Sequence, residues 1–128
     1  MKDPIAIRKL AVIGGRTKAI TCQFARPYRV GRDWACSYEV KGLARGLQGQ
    51  AFGVDSVQAL FMAVQAARAH VLDSGVTLTG VGSDEPGGFP RLVPAFFGLE
   101  FAKHVGAVID REVASFARKA KRVAPHLK

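Results

Sequence analysis

One eight-residue stretch, residues 53–60, constrains the fold of this sequence most, because it combines the exit from a strand with the start of a helix. Asp55 is suited to accept hydrogen bonds from the free amides of a first helical turn, and Gln58 is suited to return one to the Asp55 amide. This capping box predicts a helix that runs to about Leu72, where residues 73–75 stop it. The same free amides could hold an anion, but the Asp55 carboxylate already occupies that position.

Apolar residues in this helix recur at three-to-four spacing, which predicts that they lie on one face and pack on a sheet. The predicted core face consists of Val57, Leu60, Phe61, Val64, Ala67 and Val71.

Alternating apolar and polar residues predict strands in the rest of the first eighty residues. The predicted strands cover residues 5–13, 17–25, 34–40, 46–52 and 76–81. A tight hairpin at Gly14-Gly15 should pair the first two, because glycine accepts positive φ. The predicted inward residues are Ile20, Cys22 and Phe24 on the second strand, and Trp34, Cys36, Tyr38 and Val40 on the third.

The carboxy-terminal part of the chain, residues 94–128, reads as a long basic amphipathic helix. Its apolar stripe consists of Ala102, Val105, Ile109, Val113, Phe116, Ala120 and Val123. We therefore predict an α+β fold, in which residues 1–93 form one domain with an antiparallel sheet of four to five strands packed by one central helix. The long helix should pack on that domain or on a second protomer of a homodimer.

Composition limits the function classes. A chain of 128 residues that is 48% hydrophobic has room for one core. No apolar run reaches the length of a signal peptide or of a membrane span, which predicts a cytoplasmic protein with its two cysteines reduced. The net charge is +9, with ten basic and three acidic residues in 1–50 and seven basic and two acidic in 101–128. Such a field favours polyanions or an acidic partner protein, although a merely solubilising surface would look the same.

Three segments carry a family resemblance. Residues 34–38 read Trp-Ala-Cys-Ser-Tyr, residues 53–60 read Gly-Val-Asp-Ser-Val-Gln-Ala-Leu, and a glycine-rich loop ends in Phe89-Pro90. This order resembles a family of small bacterial domains of unknown function with the pattern W-x-C-x-Y, G-x-D-x-x-Q-A-L and F-P. The resemblance covers about residues 5–90 and implies no activity and no catalytic residue.

No catalytic or metal-binding motif accompanies these segments. A hairpin centred near Arg29 would set Cys22 opposite Cys36, where a disulfide is geometrically possible, but apolar strand positions favour buried thiols as core residues. His70, His104 and His126 lack metal-ligand spacing. Adjacent carboxylates such as Asp84 and Glu85 point apart. We therefore expect a protein that is not an enzyme and that uses no cofactor or metal.

Basic residues are the remaining candidates for binding. Residues 26–32 place three arginines at intervals of three around a tyrosine, which could align them on one side of an extended loop. The candidate binding residues are Arg26, Tyr28, Arg29 and Arg32 in this loop and Arg118, Lys119, Lys121 and Arg122 in the terminal helix. The leading interpretation is a protein-interaction domain, with an immunity or regulatory role as one version. The alternative is a nucleic-acid-binding protein that uses these basic residues.

Overall fold

The fold is α+β, with an antiparallel sheet of six strands, one helix packed on it and a long second helix. A computed structural model describes residues 1–16, 18–92 and 98–123, with side chains up to residue 120. Met1–Arg91 forms one compact unit and Leu92–Lys128 a second. The elements of the first unit are β1 (Ala6–Ile13), β2 (Ala19–Phe24), β3 (Tyr28–Val30), β4 (Asp33–Lys41), β5 (Leu47–Gly53), α1 (Ser56–Asp73) and β6 (Thr77–Thr79).

The strands are ordered around β4. Its residues pair with β2 and β3 on one side and with β5 on the other, while β1 continues the sheet from β2 and β6 pairs with β1. The predicted hairpin of β1 and β2 is confirmed, and Gly14 and Gly15 at its turn have φ of +76° and +70°. Of this turn, Thr17 lies outside the described residues. The predicted strand at 46–52 is confirmed as β5, which pairs only with β4 among the described residues and so lies at an edge of the sheet.

β3 is a strand that the sequence analysis took for a loop. β2 and β4 pair in a register that sets Cys22 against Val40, so the prediction that Cys22 lies opposite Cys36 is wrong. The hairpin turns at Gly31-Arg32, not at Arg29, since Val30 pairs with Asp33. Phe24 pairs with Tyr38, and Tyr28 pairs with Ala35. Three residues lie between Phe24 and Tyr28 but only two between their partners, so the chain has a one-residue bulge beside Pro27.

Helix α1 begins as predicted. The Asp55 Oδ1 accepts a hydrogen bond of 2.8 Å from the Gln58 amide. The returning bond differs from the prediction, because Gln58 Oε1 accepts from the Val54 amide at 2.7 Å and not from that of Asp55. The helix ends at Ser74 and Gly75, and the positive φ of Gly75 (+72°) turns the chain out of the helix.

The buried face of α1 is not the predicted one. It is lined by Ala59, Ala63, Ala67 and Val71. Val57 and Phe61 are 57% and 50% exposed, so their placement in the core was wrong, whereas Leu60 and Val64 are partly buried against it. The physical reason is close packing, since small side chains let the helix approach the sheet. At Gly53 an added Cβ would lie 2.4 Å from the Ala59 amide nitrogen.

The sheet has two faces, which we call the inner face, toward α1, and the outer face. The predicted inward alternation of β2 and β4 is confirmed, because Ile20, Cys22, Phe24, Cys36, Tyr38 and Val40 are buried and Trp34 is partly buried. The loop after β6 closes this core. Phe89 packs edge-on against Phe24 with ring centroids 5.9 Å apart, and Arg8 donates a hydrogen bond of 2.8 Å to the Gly88 carbonyl.

The second unit contains α2 (Leu99–Val123), which is amphipathic as predicted. The predicted start of the helix near residue 94 and its end at 128 lie outside the described residues. No helix in the described ranges has the length and apolar character that crossing a membrane requires.

Candidate functional site

Three of the predicted binding residues, Tyr28, Arg29 and Arg32, lie in the hairpin of β3 and β4, and Arg26 lies just before it. In a strand, neighbouring side chains point to opposite faces, so Tyr28, which pairs with Ala35, lies on the outer face and Arg29, which pairs with Trp34, on the inner one. The guanidinium of Arg29 lies 5.7 Å from the centroid of the Trp34 ring. The segment expected to be an extended loop is instead strand β3 at Tyr28–Val30, and it does not set Tyr28 and Arg29 on the same side. Arg26 and Arg32 are exposed beside the strand.

An aromatic pair lies on the outer face. Ala35 pairs with Tyr28 on one side and with Phe52 on the other, so the two rings flank a buried alanine across three strands. Phe52 is 53% exposed and Tyr28 is also exposed. Gln50, a neighbour on the same face, donates a hydrogen bond from Nε2 to the Tyr28 hydroxyl oxygen. We call Tyr28 and Phe52 the aromatic pair.

Polar side chains occupy the next two rows of the outer face. Ser37 pairs with Gln50, and Glu39 pairs with Gln23 and Gln48. A concavity of about 350 Å³ opens between them, and its lining consists of Met1, Ser37, Tyr38, Glu39, Gln48, Gly49 and Gln50. The Oε1 atom of Gln23 is buried and has no hydrogen-bond partner.

Charged groups follow beyond these rows. Lys9 and Lys41 flank Thr21 on the outer face. The Glu39 carboxylate lies 2.9 Å from the Met1 amine and 3.9 Å from Lys41 Nζ. The hydrogen bond from the Met1 amine, and to a smaller extent the Lys41 charge, holds the pKa of Glu39 below its ordinary value. One strip of the sheet thus runs from exposed aromatic rings through amides to two lysines, and we call these rows the outer strip.

The cysteines have the surroundings of core residues. Burial raises the pKa of the Cys22 thiol to about 11, with the nearby Arg8 charge as a smaller opposing cause. Burial also raises the pKa of Cys36, whose Sγ donates to the Ala25 carbonyl at 3.3 Å. Both thiols are free. A thiol that stays protonated at neutral pH is a poor nucleophile.

The histidines are dispersed. The Nε2 of His70 lies 3.2 Å from the Tyr38 hydroxyl, which places it in a hydrogen bond between α1 and β4. His104 is exposed on α2, and His126 lies outside the described residues. Asp84 is exposed, whereas Glu85 lies 3.6 Å from Arg8. In the described parts of the chain, no group of three or more His, Cys, Asp or Glu side chains is arranged to hold a metal ion.

An apolar groove lies between α1 and the start of β1, away from the outer strip. It has a volume of about 340 Å³ and is lined by Ala6, Ile7, Arg8, Phe24, Leu60, Phe61, Val64, Phe89 and Pro90. The first half of β1 forms one wall, and β6 pairs with β1 only at Ala11–Ile13. Phe61, which the sequence placed in the core, forms part of this groove instead.

Helix α2 carries the other predicted binding residues. Arg118 and Lys119 are exposed, and the Lys119 Nζ lies 5.6 Å from the centroid of the Phe116 ring. Lys121 and Arg122 belong to the last turn of α2, and their side chains lie outside the described part. Val113 and Phe116, from the predicted apolar stripe, are 63% and 67% exposed.

Sequence reasoning missed most of the outer strip. Gln48, Gln50 and Phe52 were predicted only as parts of the strand at 46–52, and Lys9 and Lys41 were not singled out. The signal was present in the alternation of β5, where Gln48, Gln50 and Phe52 alternate with small residues that face α1. Cross-strand register was needed to join them with Tyr28.

The comparisons with known proteins point to one family. No curated protein and no solved structure matches this chain. The family model of DUF6968, a domain of unknown function, matches residues 6–90, which span every element from β1 through Phe89-Pro90. Because the match covers well over half of the sequence, the chain belongs to the DUF6968 family of domains of unknown function.

Proposed function

We propose that this protein is a non-enzymatic protein-interaction domain of the cytoplasm that forms a homodimer through α2. The observation that carries the proposal is the exposed apolar stripe of α2. Ile109, Val113 and Phe116 lie within two turns of one another on one side of the helix, and all three are exposed. An amphipathic helix of this length gains most of its stability by burying such a stripe against a partner.

The charges of α2 favour an antiparallel pair. Its first half, residues 99–110, contains two acidic residues and one basic residue, whereas residues 111–123 contain five basic residues and one acidic residue. A parallel pair would place the two basic halves side by side, which costs electrostatic energy. An antiparallel pair places each basic half beside the less basic half of the other helix and also opposes the two helix dipoles.

Buried thiols and dispersed histidines support the non-enzymatic part of the proposal. Cys22 and Cys36 are nucleophile types, but both are protonated core residues at neutral pH. The Nε2 of His70 is within hydrogen-bond distance of the Tyr38 hydroxyl, which gives this histidine a structural partner between α1 and β4.

Sedimentation velocity tests the dimer. We expect the wild type to sediment as a dimer at protein concentrations of up to about 100 µM. Dimerisation depends on protein concentration, and most of the chains should be paired in this range. Ile109→Glu should raise the dimer dissociation constant by about tenfold or more, since it puts a charge into the apolar contact. Ala107→Glu is the matched control, because two residues of helix rotate the side chain by about 200°, to the polar side of α2. It should leave the dimer intact.

Salt distinguishes the two arrangements. Added salt should weaken an antiparallel dimer, because it screens attraction between the unlike halves. A dimer that tightens with salt would contradict the antiparallel arrangement. A wild-type monomer at all concentrations, or equal effects of the two glutamate substitutions, would contradict the dimer itself.

A further inference from the structure

We infer that the outer strip of the sheet is a binding site for single-stranded nucleic acid, with bases stacked on the aromatic pair and phosphates held by Lys9 and Lys41. The site lies on β1 to β5, whereas the proposed dimer contact lies on α2. The two proposals therefore rest on different residues and can fail separately.

The aromatic pair supplies the stacking surface. Strands lie about 4.8 Å apart, so Tyr28 and Phe52, with Ala35 between them, start about 10 Å apart on the same face. Ala35 is fully buried between its neighbours, while Tyr28 and Phe52 remain 39% and 53% exposed, so part of each ring is open to solvent. Stacking on such rings is worth about 1–3 kcal/mol for each base and tolerates any sequence, because every base has a π-face.

The polar rows supply groups that can contact base edges. Ser37, Gln48 and Gln50 line the concavity of about 350 Å³ directly next to the aromatic pair. Amide side chains can both donate and accept, which suits the mixed donors and acceptors of an unpaired base. Gln23 belongs to the same row as Glu39 and Gln48, and its Oε1 is buried without a hydrogen-bond partner.

The lysine end supplies the charge. From Ala35 to Lys41 the outer strip extends six residues along β4, about 20 Å, which is sufficient for the shortest single-stranded sites of about four nucleotides. Lys9 and Lys41 lie at one end, and the exposed Arg26 and Arg32 lie beside Tyr28 at the other. Two acidic residues share this face: Glu39, whose charge is offset by the Met1 amine and Lys41, and the exposed Asp33, which pairs with Val30 at the arginine end.

The arrangement favours single strands over the two other polyanions that a basic protein meets. A duplex hides its bases from flat aromatic surfaces, so it would use only the positive charges. An acidic polypeptide without aromatic residues would likewise use only the lysines and arginines, because it has no flat ring to stack on the aromatic pair. Stacking on Phe52 is therefore the property that identifies the ligand.

Fluorescence anisotropy with fluorescein-labelled oligo(dT) and oligo(rU) of about twelve nucleotides tests the site. At about 50 mM salt we expect both to bind, and log affinity should fall linearly with log salt. Phe52→Ala should weaken binding about fivefold to a hundredfold, the loss of one stacked base. Lys9→Ala and Lys41→Ala should each lower the salt slope by about one.

Phe61→Ala is the matched control. Phe61 is as exposed as Phe52, at 50% against 53%, but it lies on α1, in the apolar groove at the other side of the unit. It should leave oligonucleotide affinity unchanged, and a thermal melt of both variants should show that each remains folded.

Several results would overturn the inference. These are no binding of the wild type at low salt, equal losses in Phe52→Ala and Phe61→Ala, or a Phe52→Ala variant that binds like the wild type. Equal affinity for a duplex of the same length or for poly(glutamate) would show that charge alone is recognised, and would overturn it as well.

Discussion

The two faces of the sheet differ in what their side chains do. On the inner face, Leu10, Ile20 and Val40 are almost entirely shielded from solvent. They lie beneath α1 and the loop after β6, whose Gly82 and Gly88 approach Leu10. On the outer face, exposed rings, amides and lysines alternate with them along the same strands. The inner face can be explained by burial alone. The outer face retains large exposed apolar side chains that burial does not explain, and this is the ordinary sign of a binding surface.

The largest expected difference between the faces is in stability. Leu10→Ala should lower the free energy of unfolding by about 2–5 kcal/mol, because Leu10 is 1% exposed and packs in the main core. Ile13→Ala, in the same strand but on the outer face, should cost less than about 1 kcal/mol, since Ile13 is largely exposed already. Urea denaturation of both variants measures the difference. Equal costs would mean that the outer face of β1 is covered, and would contradict the comparison.

This contrast was only partly readable from the sequence. Strict alternation in β2 and β4 predicted their inner residues. Successive side chains of a strand point to opposite faces, so the apolar set must be the one that faces the core. The start of α1 was equally readable, since Asp55 and Gln58 act through bonds to amides a few residues away. Local chemistry of this kind needs no knowledge of distant parts of the chain.

The errors came from contacts that sequence spacing does not record. In α1, large apolar residues occur on two sides of the helix. The buried side is the one with the alanines, because their small side chains let the helix approach the sheet closely at Gly53. The register of β3 depended on a bulge beside Pro27. Because the outer strip gathers residues from five strands, the cross-strand register had to be known before Tyr28 and Phe52 could be placed together.

The next expected effect concerns thiol chemistry on the inner face. Below pH 9 the native Cys22 thiol should react with iodoacetamide about a hundredfold more slowly than an ordinary cysteine, because its pKa is about 11 and only the thiolate reacts. The sign for stability follows from the same shift. Between pH 9 and 11 the unfolded chain loses this proton and the native protein keeps it, so stability should fall as the pH rises through that window.

Mass spectrometry of alkylated peptides after timed quenching measures this rate, and the urea-unfolded protein is the reference. Cys22→Ala should remove the part of the stability decrease that comes from this thiol. Rapid labelling of Cys22 in the native state at pH 8 would contradict a sealed inner face. It would also reopen the enzymatic interpretation that the buried thiols argue against.

The smallest expected effect is on the stability of a variant of the outer face. Phe52→Thr should change the free energy of unfolding by less than about 0.5 kcal/mol, because the ring is half-exposed and threonine retains the strand preference of the position. A chemical denaturation curve with an unchanged slope and midpoint is the expected result. A loss above about 1.5 kcal/mol would instead assign Phe52 to the packing that shields Ala35. If the ring contributes little to folding, packing within the chain does not account for Phe52 on the outer face, which is what the proposed stacking of a base on the aromatic pair predicts.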